Sequence, residues 1–188
     1  MAMGHASGLA AAMAIQNKSS VQTIDVKTLR NKLLDQKAVL ELAELANMPR
    51  TSNLPGLVMD EQEAERIGNW MGSTYGNPVD GSSRHDENTD KGKKSVVYSF
   101  QVPTTGRYEV RVSYANAPNR ASNVPVTIQH AEGSSTVKVN QKKEPSIDKL
   151  FVSLGIFTFK ADQPAVITVS NEDTDGIVGA DAVQLLKQ

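Results

Sequence analysis

Cysteine is absent from the 188 residues, so disulfides, thiolate catalysis and cysteine-ligated zinc are excluded. Neither sign of charge is in excess, since 20 Lys and Arg against 21 Asp and Glu leave a formal net charge of -1. That balance provides no electrostatic footprint for nucleic acid or an anionic membrane surface. No apolar run approaches the roughly 18 to 20 residues that span a bilayer. The three histidines are too scattered to define a metal site. There is no GxGxxG, no P-loop and no long repeat, and no Ser/His/Asp spacing stands out. No pair of carboxylates can be assigned to acid–base work. The sequence therefore carries no catalytic constellation of its own.

What is present is alternation. In Gly106–Asn116, Tyr108, Val110, Val112 and Tyr114 share one parity while Arg107, Glu109, Arg111 and Ser113 share the other. A two-residue period of this kind marks a strand with one face in a core and one in water. After a loop rich in Asn, Pro and Ala, the pattern resumes as Val124, Val126, Ile128 and His130. Two such runs around a polar connection nucleate an antiparallel sheet.

Ahead of this region the period is helical. Residues 4–16 read as a helix of very small residues, in which Gly4, Ser7, Gly8, Ala11 and Ala12 allow another backbone or a ligand to approach closely. The stretch GHASGLAAAMAI reads as a helix in preference to a secretory signal, because no basic segment precedes it and Gly4, His5, Ser7 and Gly8 dilute its hydrophobicity. A second helix begins at Asp25, a good N-cap, with Val26, Leu29, Leu33 and Leu34 at helical spacing, and 39–46 continues helically. Asn47 to Pro55, with Pro49, Asn53 and Pro55, reads as a linker between a helical segment (1–46) and a β domain (56–188).

The β domain starts with a short apolar strand over Leu57–Asp60, and 61–70 is assigned to a strand entering the sheet. Residues 71–92, rich in Gly, Ser, Asn and Asp, form a long loop, of the kind that is more often functional than idle. Strands are then expected over 95–102, 106–116, 123–130, 135–140, 150–160, 165–170 and 177–186. In the 150–160 strand the apolar parity changes between Leu154 and Phe157, which a β-bulge at Gly155 would explain. The 177–186 segment is apolar on both parities and should be central and buried on both faces. Short strands at this spacing predict a mainly β fold, an antiparallel jelly-roll-type sandwich with an N-terminal helical segment.

Candidate site residues follow from chemistry that interrupts these patterns. Asp181 breaks the buried last strand and needs a partner. Arg120, in a loop able to fold over the sheet, is the available cation; the pair is either a structural clamp, or Arg120 binds ligand. Asp86, Asn88 and Asp90, and again Asn171, Asp173 and Asp175, place oxygen ligands on alternate residues as calcium loops do. Neither loop completes an EF-hand, since position twelve of the second is Ala182 and Gly92 of the first falls one residue late. Asx-rich turns that merely connect strands are the alternative to a structural calcium. Of the large amphipathic aromatics, Tyr98 and Tyr114 belong to the core, while Trp70 and Tyr75, beside the loops, could act as stacking platforms for sugar rings. His85 and Asp86 complete the proposed ligand-binding set of Trp70, Tyr75, His85, Asp86 and Arg120, and His130 reads as a satisfied, partly buried residue.

Certain of these residues also carry a family resemblance. From Pro55 onward the ordered series Gly68-Asn69-Trp70, Gly106-Arg107-Tyr108-Glu109-Val110, Asn119-Arg120-Ala121, Val124-Pro125-Val126, His130 and Gly133 is followed by Val139-Asn140-Gln141, Leu154-Gly155, Phe157 and Phe159. The series closes with Ser170-Asn171, Asp175-Gly176 and Ala180-Asp181-Ala182-Val183. It resembles the golvesin/xanthan-lyase carbohydrate-binding-like domain, which implies a β-sandwich attached to exported or cell-surface bacterial enzymes and a polysaccharide as partner. Residues 1–45, with GHASGLAAAMAI, Val21-Gln22, Ile24-Asp25, Leu29-Arg30 and Leu33-Leu34, are similar to the end of the FAD-binding region of bacterial FAD-dependent oxidoreductases. That resemblance implies that Gly4, His5, Ala6, Ser7 and Gly8 face the flavin in a parent enzyme. The dinucleotide fingerprint is missing here, so the chain is expected to be a fragment that does not hold FAD alone. Two roles follow for the sandwich, a non-catalytic glycan-binding accessory or a purely structural domain packed on the flavoenzyme; an autonomous enzyme lacks support in the residues.

Overall fold

The computed structural model describes residues 2–36 and 48–188. The chain divides into two compact units, Met1–Asn47 and Met48–Gln188. In the first, α1 (Ala2–Gln16) and α2 (Val26–Asp35) are joined by a short 3-10 turn at Val21–Thr23. Asp25 caps α2 as its sequence position suggests, its carboxylate accepting from the Thr28 N–H at 2.9 Å and the Lys27 N–H at 3.3 Å. Ala10, Met13 and Ala14 of α1 and Leu33 of α2 are buried. The helical continuation expected over 39–46, and Asn47 with it, lie outside the described residues.

The second unit is a β-sandwich. Its strands are β1 (Leu57–Met59), β2 (Glu65–Ile67), β3 (Met71–Ser73), β4 (Ser83–His85), β5 (Ser95–Phe100) and β6 (Gly106–Ser113), followed by β7 (Val124–His130), β8 (Gly133–Val139), β9 (Phe151–Phe159), β10 (Ala165–Ser170), β11 (Gly179–Ala180) and β12 (Val183–Lys187). One layer has the order β1-β12-β6-β9 and the other β2-β5-β10-β7-β8, while β11-β4-β3 form a small third sheet. All these ladders are antiparallel. The alternating residues fill the space between the layers: Val96, Tyr98 and Phe100 of β5, Tyr108, Val110 and Val112 of β6, Val124, Val126 and Ile128 of β7, and Ile167 and Val169 of β10 form one cluster. Burying a Val, Ile, Tyr or Phe side chain contributes about 1.5–3 kcal/mol each, so this cluster holds the layers together.

The parity change in β9 is a bulge. Val110 of β6 faces Gly155 and Arg111 faces Ser153, leaving Leu154 unopposed. Gly155 has φ +121°, a conformation that favours glycine. The bulge lets Leu154 and Phe159 reach the same core from positions of opposite parity.

Four sequence-based expectations change. The stretch 48–55 is no free tether, because the Asp80 N–H donates to the Pro49 carbonyl at 2.9 Å and Thr51 Oγ1 donates to the Asp80 carboxylate at 2.8 Å. The 71–92 segment contains β3 and β4, which are only three residues long and too short to show a period. The 61–70 segment likewise supplies only β2. Finally, 177–186 is buried on both faces as expected, yet it is two strands. The chain leaves the third sheet after Ala180 and enters the first at Val183, with Asp181 at the crossing.

Candidate functional site

The long loops are cross-linked to one another. Ser122 donates from its backbone and hydroxyl to the Asp175 carboxylate, and the Asn123 side chain donates to the Asp173 carbonyl at 2.7 Å. The Gln141 side chain bridges the Gly179 N–H and carbonyl, both at 2.8 Å. Ala121 N–H donates to the Ile177 carbonyl at 2.8 Å, and Ile177 N–H to the Asn119 carbonyl at 3.1 Å. This approach requires Gly176, since a Cβ there would stand 2.7 Å from the Arg120 carbonyl oxygen. The loop that follows Tyr75 lies against the same region, a Cβ on Gly76 falling 2.8 Å from that of Ala115.

Arg120 sits at the centre of these loops with only 7% of its surface exposed. Its Nε donates to the Ala115 carbonyl at 3.0 Å, whereas Nη1 and Nη2 donate to no acceptor among the described residues. Burial pulls the guanidinium below its ordinary value, and the nearby Tyr75 phenol and Asp86 carboxylate push back. Tyr75 is 58% exposed, so its ring is available for stacking. His85 is half-buried, its Nδ1 accepting from the Glu87 N–H at 3.3 Å. The structure thus places Tyr75, His85, Asp86 and Arg120 in one loop cluster.

One member of the expected ligand-binding set lies elsewhere, and one expected ion pair is absent among the described residues. Trp70 is 7% exposed within the main core, and its indole N–H is held by the Ile67 carbonyl at 3.0 Å. Its ring is packing, not a platform. The Arg120–Asp181 clamp does not form either. Asp181 Oδ2 accepts instead from Ser113 Oγ at 2.5 Å and from the Val79 N–H at 3.3 Å, while Oδ1 has no partner among the described residues. Burial first, and then the Asp60 and Glu61 carboxylates, push Asp181 up to about 8. Burial likewise raises Asp60 to about 6, with Glu61 and Asp80 adding to it.

The calcium expectation meets a different cation. Lys94, buried, sends its ammonium into the Asp86–Asp90 turn, onto the Asp86 carbonyl at 2.9 Å, Thr89 Oγ1 at 2.7 Å and Asp90 Oδ2 at 3.6 Å. Lys91 pairs with Asp86 at 2.9 Å and also reaches Thr174 Oγ1 and the Gly176 carbonyl, each at 2.7 Å. Asn171 turns its amide inward, its oxygen accepting from Gly92 and Lys94 N–H groups and its nitrogen donating to Asp86. Burial would raise Asp86, but the Asn88 and Val178 N–H groups with Lys91 and Asn171 outweigh it and hold it below its ordinary value. Asn88 contributes only its backbone to this turn, and Asp173 and Asp175 turn to Asn123 and Ser122. Among the described residues no three His, Asp or Glu side chains converge to hold a metal. In the first loop the Lys91 and Lys94 ammonium groups contact oxygens of Asp86 and Asp90. The run Lys91-Gly92-Lys93-Lys94 looks like a solvated charge cluster, so nothing in the sequence signals that two of its members turn inward.

Sequence reasoning also missed a groove at the opposite, tight-turned end. It is about 530 Å³, lined by Gln129, His130, Ser134, Phe159, Lys160 and Gln163 among others. His130 is satisfied there as expected, through Ser135 Oγ at 2.9 Å and the Phe157 ring at 5.2 Å.

Comparisons with known proteins follow the sandwich. A family model described as the Golvesin C-terminal domain matches residues 57–187. The chain is 30% identical over 145 residues to the xanthan lyase of Bacillus sp. (strain GL1), covering 73% of this chain and 15% of that protein. It is similar to the structure of a Paenibacillus xanthan lyase, at 34% identity and a TM-score of 0.63, over 70% of this chain and 13% of that one. A family 35 carbohydrate-binding module from Clostridium thermocellum shares the fold at 13% identity and a TM-score of 0.51, covering 69% of this chain and 97% of the module. The chain thus spans a small part of the lyases it matches, and the part it spans has the architecture of a carbohydrate-binding module.

Proposed function

The chain belongs to the Golvesin C-terminal domain family, and on that premise we propose that its sandwich is a non-catalytic accessory domain that binds polysaccharide through the long-loop end. The observation that carries this reading is the exposed Tyr75 ring beside the Arg120 guanidinium, whose Nη1 and Nη2 have no protein acceptor among the described residues, on a carbohydrate-binding-module-like framework. An aromatic face with a few convergent donors is how a concave or flat surface recognises a pyranose. The family and its xanthan lyase relatives support the reading, because an accessory domain within a polysaccharide-processing enzyme needs only to hold the substrate near.

The N-terminal unit is proposed as the C-terminal end of a FAD-dependent oxidoreductase, with Gly4, His5, Ala6, Ser7 and Gly8 toward the flavin in the parent protein. Supporting this, a Cβ at Gly4 or Gly8 would meet no heavy atom of the described residues within 4 Å, so another group could approach those two positions closely. Attachment to an exported or cell-surface bacterial enzyme is part of the same proposal.

Affinity electrophoresis of the whole chain through gels cast with a panel of polysaccharides tests the sugar-binding role. Retardation by at least one polymer that Tyr75→Ala abolishes is the expected result. Unretarded migration through every gel would instead support a purely structural domain packed on its flavoenzyme.

A further inference from the structure

Among the described residues the carboxylates of these loops are engaged by other groups, and none pairs with Arg120. Its Nε is spent on the Ala115 carbonyl, a neutral group. Asp86 is already surrounded by Lys91, Asn171 and the N–H groups of Asn88 and Val178. Asp175 is held by Ser122, and Asp181 faces Ser113 and Val79. Arg120 is 7% exposed and makes no ion pair among the described residues, the Asp86 carboxylate acting on it only as a nearby charge. Its position is nonetheless fixed. The Ala115 contact orients the plane, and the backbone of Arg120 is gripped through Ile177 and the close approach of Gly176.

A fixed guanidinium with both terminal nitrogens unused matches a planar pair of oxygens, bonded by two parallel N–H···O contacts. Beside it the Tyr75 ring offers a face of the size of a pyranose, and the His85 Nε2 has no partner among the described residues. The two features together match a ligand that carries an anionic pair of oxygens and a sugar ring. Resting on the polysaccharide-binding reading above, we infer that this site selects a uronic acid residue, Arg120 gripping the C6 carboxylate while Tyr75 covers the ring. Arg120 is then the specificity-determining residue, and Tyr75 supplies affinity shared by any pyranose.

The wild-type chain tests this without a variant. Polygalacturonate, alginate and hyaluronan are compared in affinity gels with the same polymers after their carboxyl groups have been reduced to primary alcohols, and with dextran sulfate. At least one polyuronate should retard the protein, and reduction of its carboxyls should weaken binding by about tenfold or more, as loss of a charge-assisted bidentate contact implies. Arg120→Gln, its fold checked by its urea midpoint, should bind the native and the reduced polymer equally, whereas Tyr75→Ala should lose both. Equal binding of native and reduced polymers by the wild type, or retardation only by neutral polysaccharides, would overturn the uronate assignment and leave the sugar-binding role intact. Equal retardation by dextran sulfate would also overturn it, in favour of a general anion site. No binding to any polymer would overturn both readings.

Discussion

Asp181→Asn isolates the cost of keeping a carboxyl in the interior. Asp181 is 2% exposed, and one of its oxygens has no partner among the described residues. Its pKa is about 8 in the fold against an ordinary 3.8. A folded value above the unfolded one means that the folded state binds the extra proton. Its contribution to stability is therefore complete below 3.8 and is lost as pH rises through about 8. Within that window each pH unit removes about 1.4 kcal/mol, which amounts to about 4 kcal/mol by neutral pH. Asparagine keeps an oxygen for Ser113 and Val79 and never ionises, but it sets an unpartnered N–H₂ where Oδ1 stood, at a cost of about 1–3 kcal/mol. The variant should therefore be close to wild type at about pH 5 and more stable by about 1–3 kcal/mol at pH 7. Urea unfolding followed through the fluorescence of Trp70, the single tryptophan and a buried one, reads this out at intervals from pH 5 to pH 8. The raised pKa of Asp60 acts in both proteins with the same sign and largely cancels in the difference. Parallel stability curves for the two proteins would refute the reasoning, because the pH dependence would then come from other groups.

Lys94→Met should destabilise the sandwich by about 3 kcal/mol, since it strips a buried cation from the Asp86 carbonyl, Thr89 and Asp90. The urea midpoint at neutral pH measures the loss, and an unchanged midpoint would mean that the ammonium does not organise the loop. Gly176→Ala should cost about 2 kcal/mol by driving a methyl into the Arg120 carbonyl, and it should weaken polysaccharide retardation along with stability. A wild-type midpoint in that variant would show that the two loops separate freely.

The large strands were legible because each is buried on one side only. Gly106–Ser113 and Val124–His130 write that asymmetry directly into alternating residues, and the Leu154–Phe157 change of parity marks the bulge. The three-residue strands β3 and β4 hold no full period, so a Gly- and Ser-rich segment read as loop. The site was half visible. Residue type and loop position point to Tyr75, His85, Asp86 and Arg120, which the fold brings into one loop cluster, and their part in binding is the proposal made above. Trp70 failed because an aromatic next to loops can turn inward as easily as outward; one backbone acceptor, the Ile67 carbonyl, secures it inside. The Arg120–Asp181 pairing failed for another reason. Opposite charges in a sequence do not say whether burial will favour the protonated acid instead, and here burial raises Asp181 to about 8 while Ser113 and Val79 hold only Oδ2. The inward turn of Lys94 had no sequence signal at all, because its partners are a carbonyl, a hydroxyl and an exposed acid brought together only by the turn.

The position of β12 has a consequence for biogenesis. It lies between β1 and β6, and β1 has no other neighbour in its sheet. Ribosomal synthesis delivers those five residues after every other strand, so a nascent chain halted before Val183 holds one complete layer facing an unclosed gap. Translation arrest or cleavage before β12 would thus leave an open sandwich with apolar side chains of its core uncovered. Quality-control machinery would meet this protein in an all-or-nothing form.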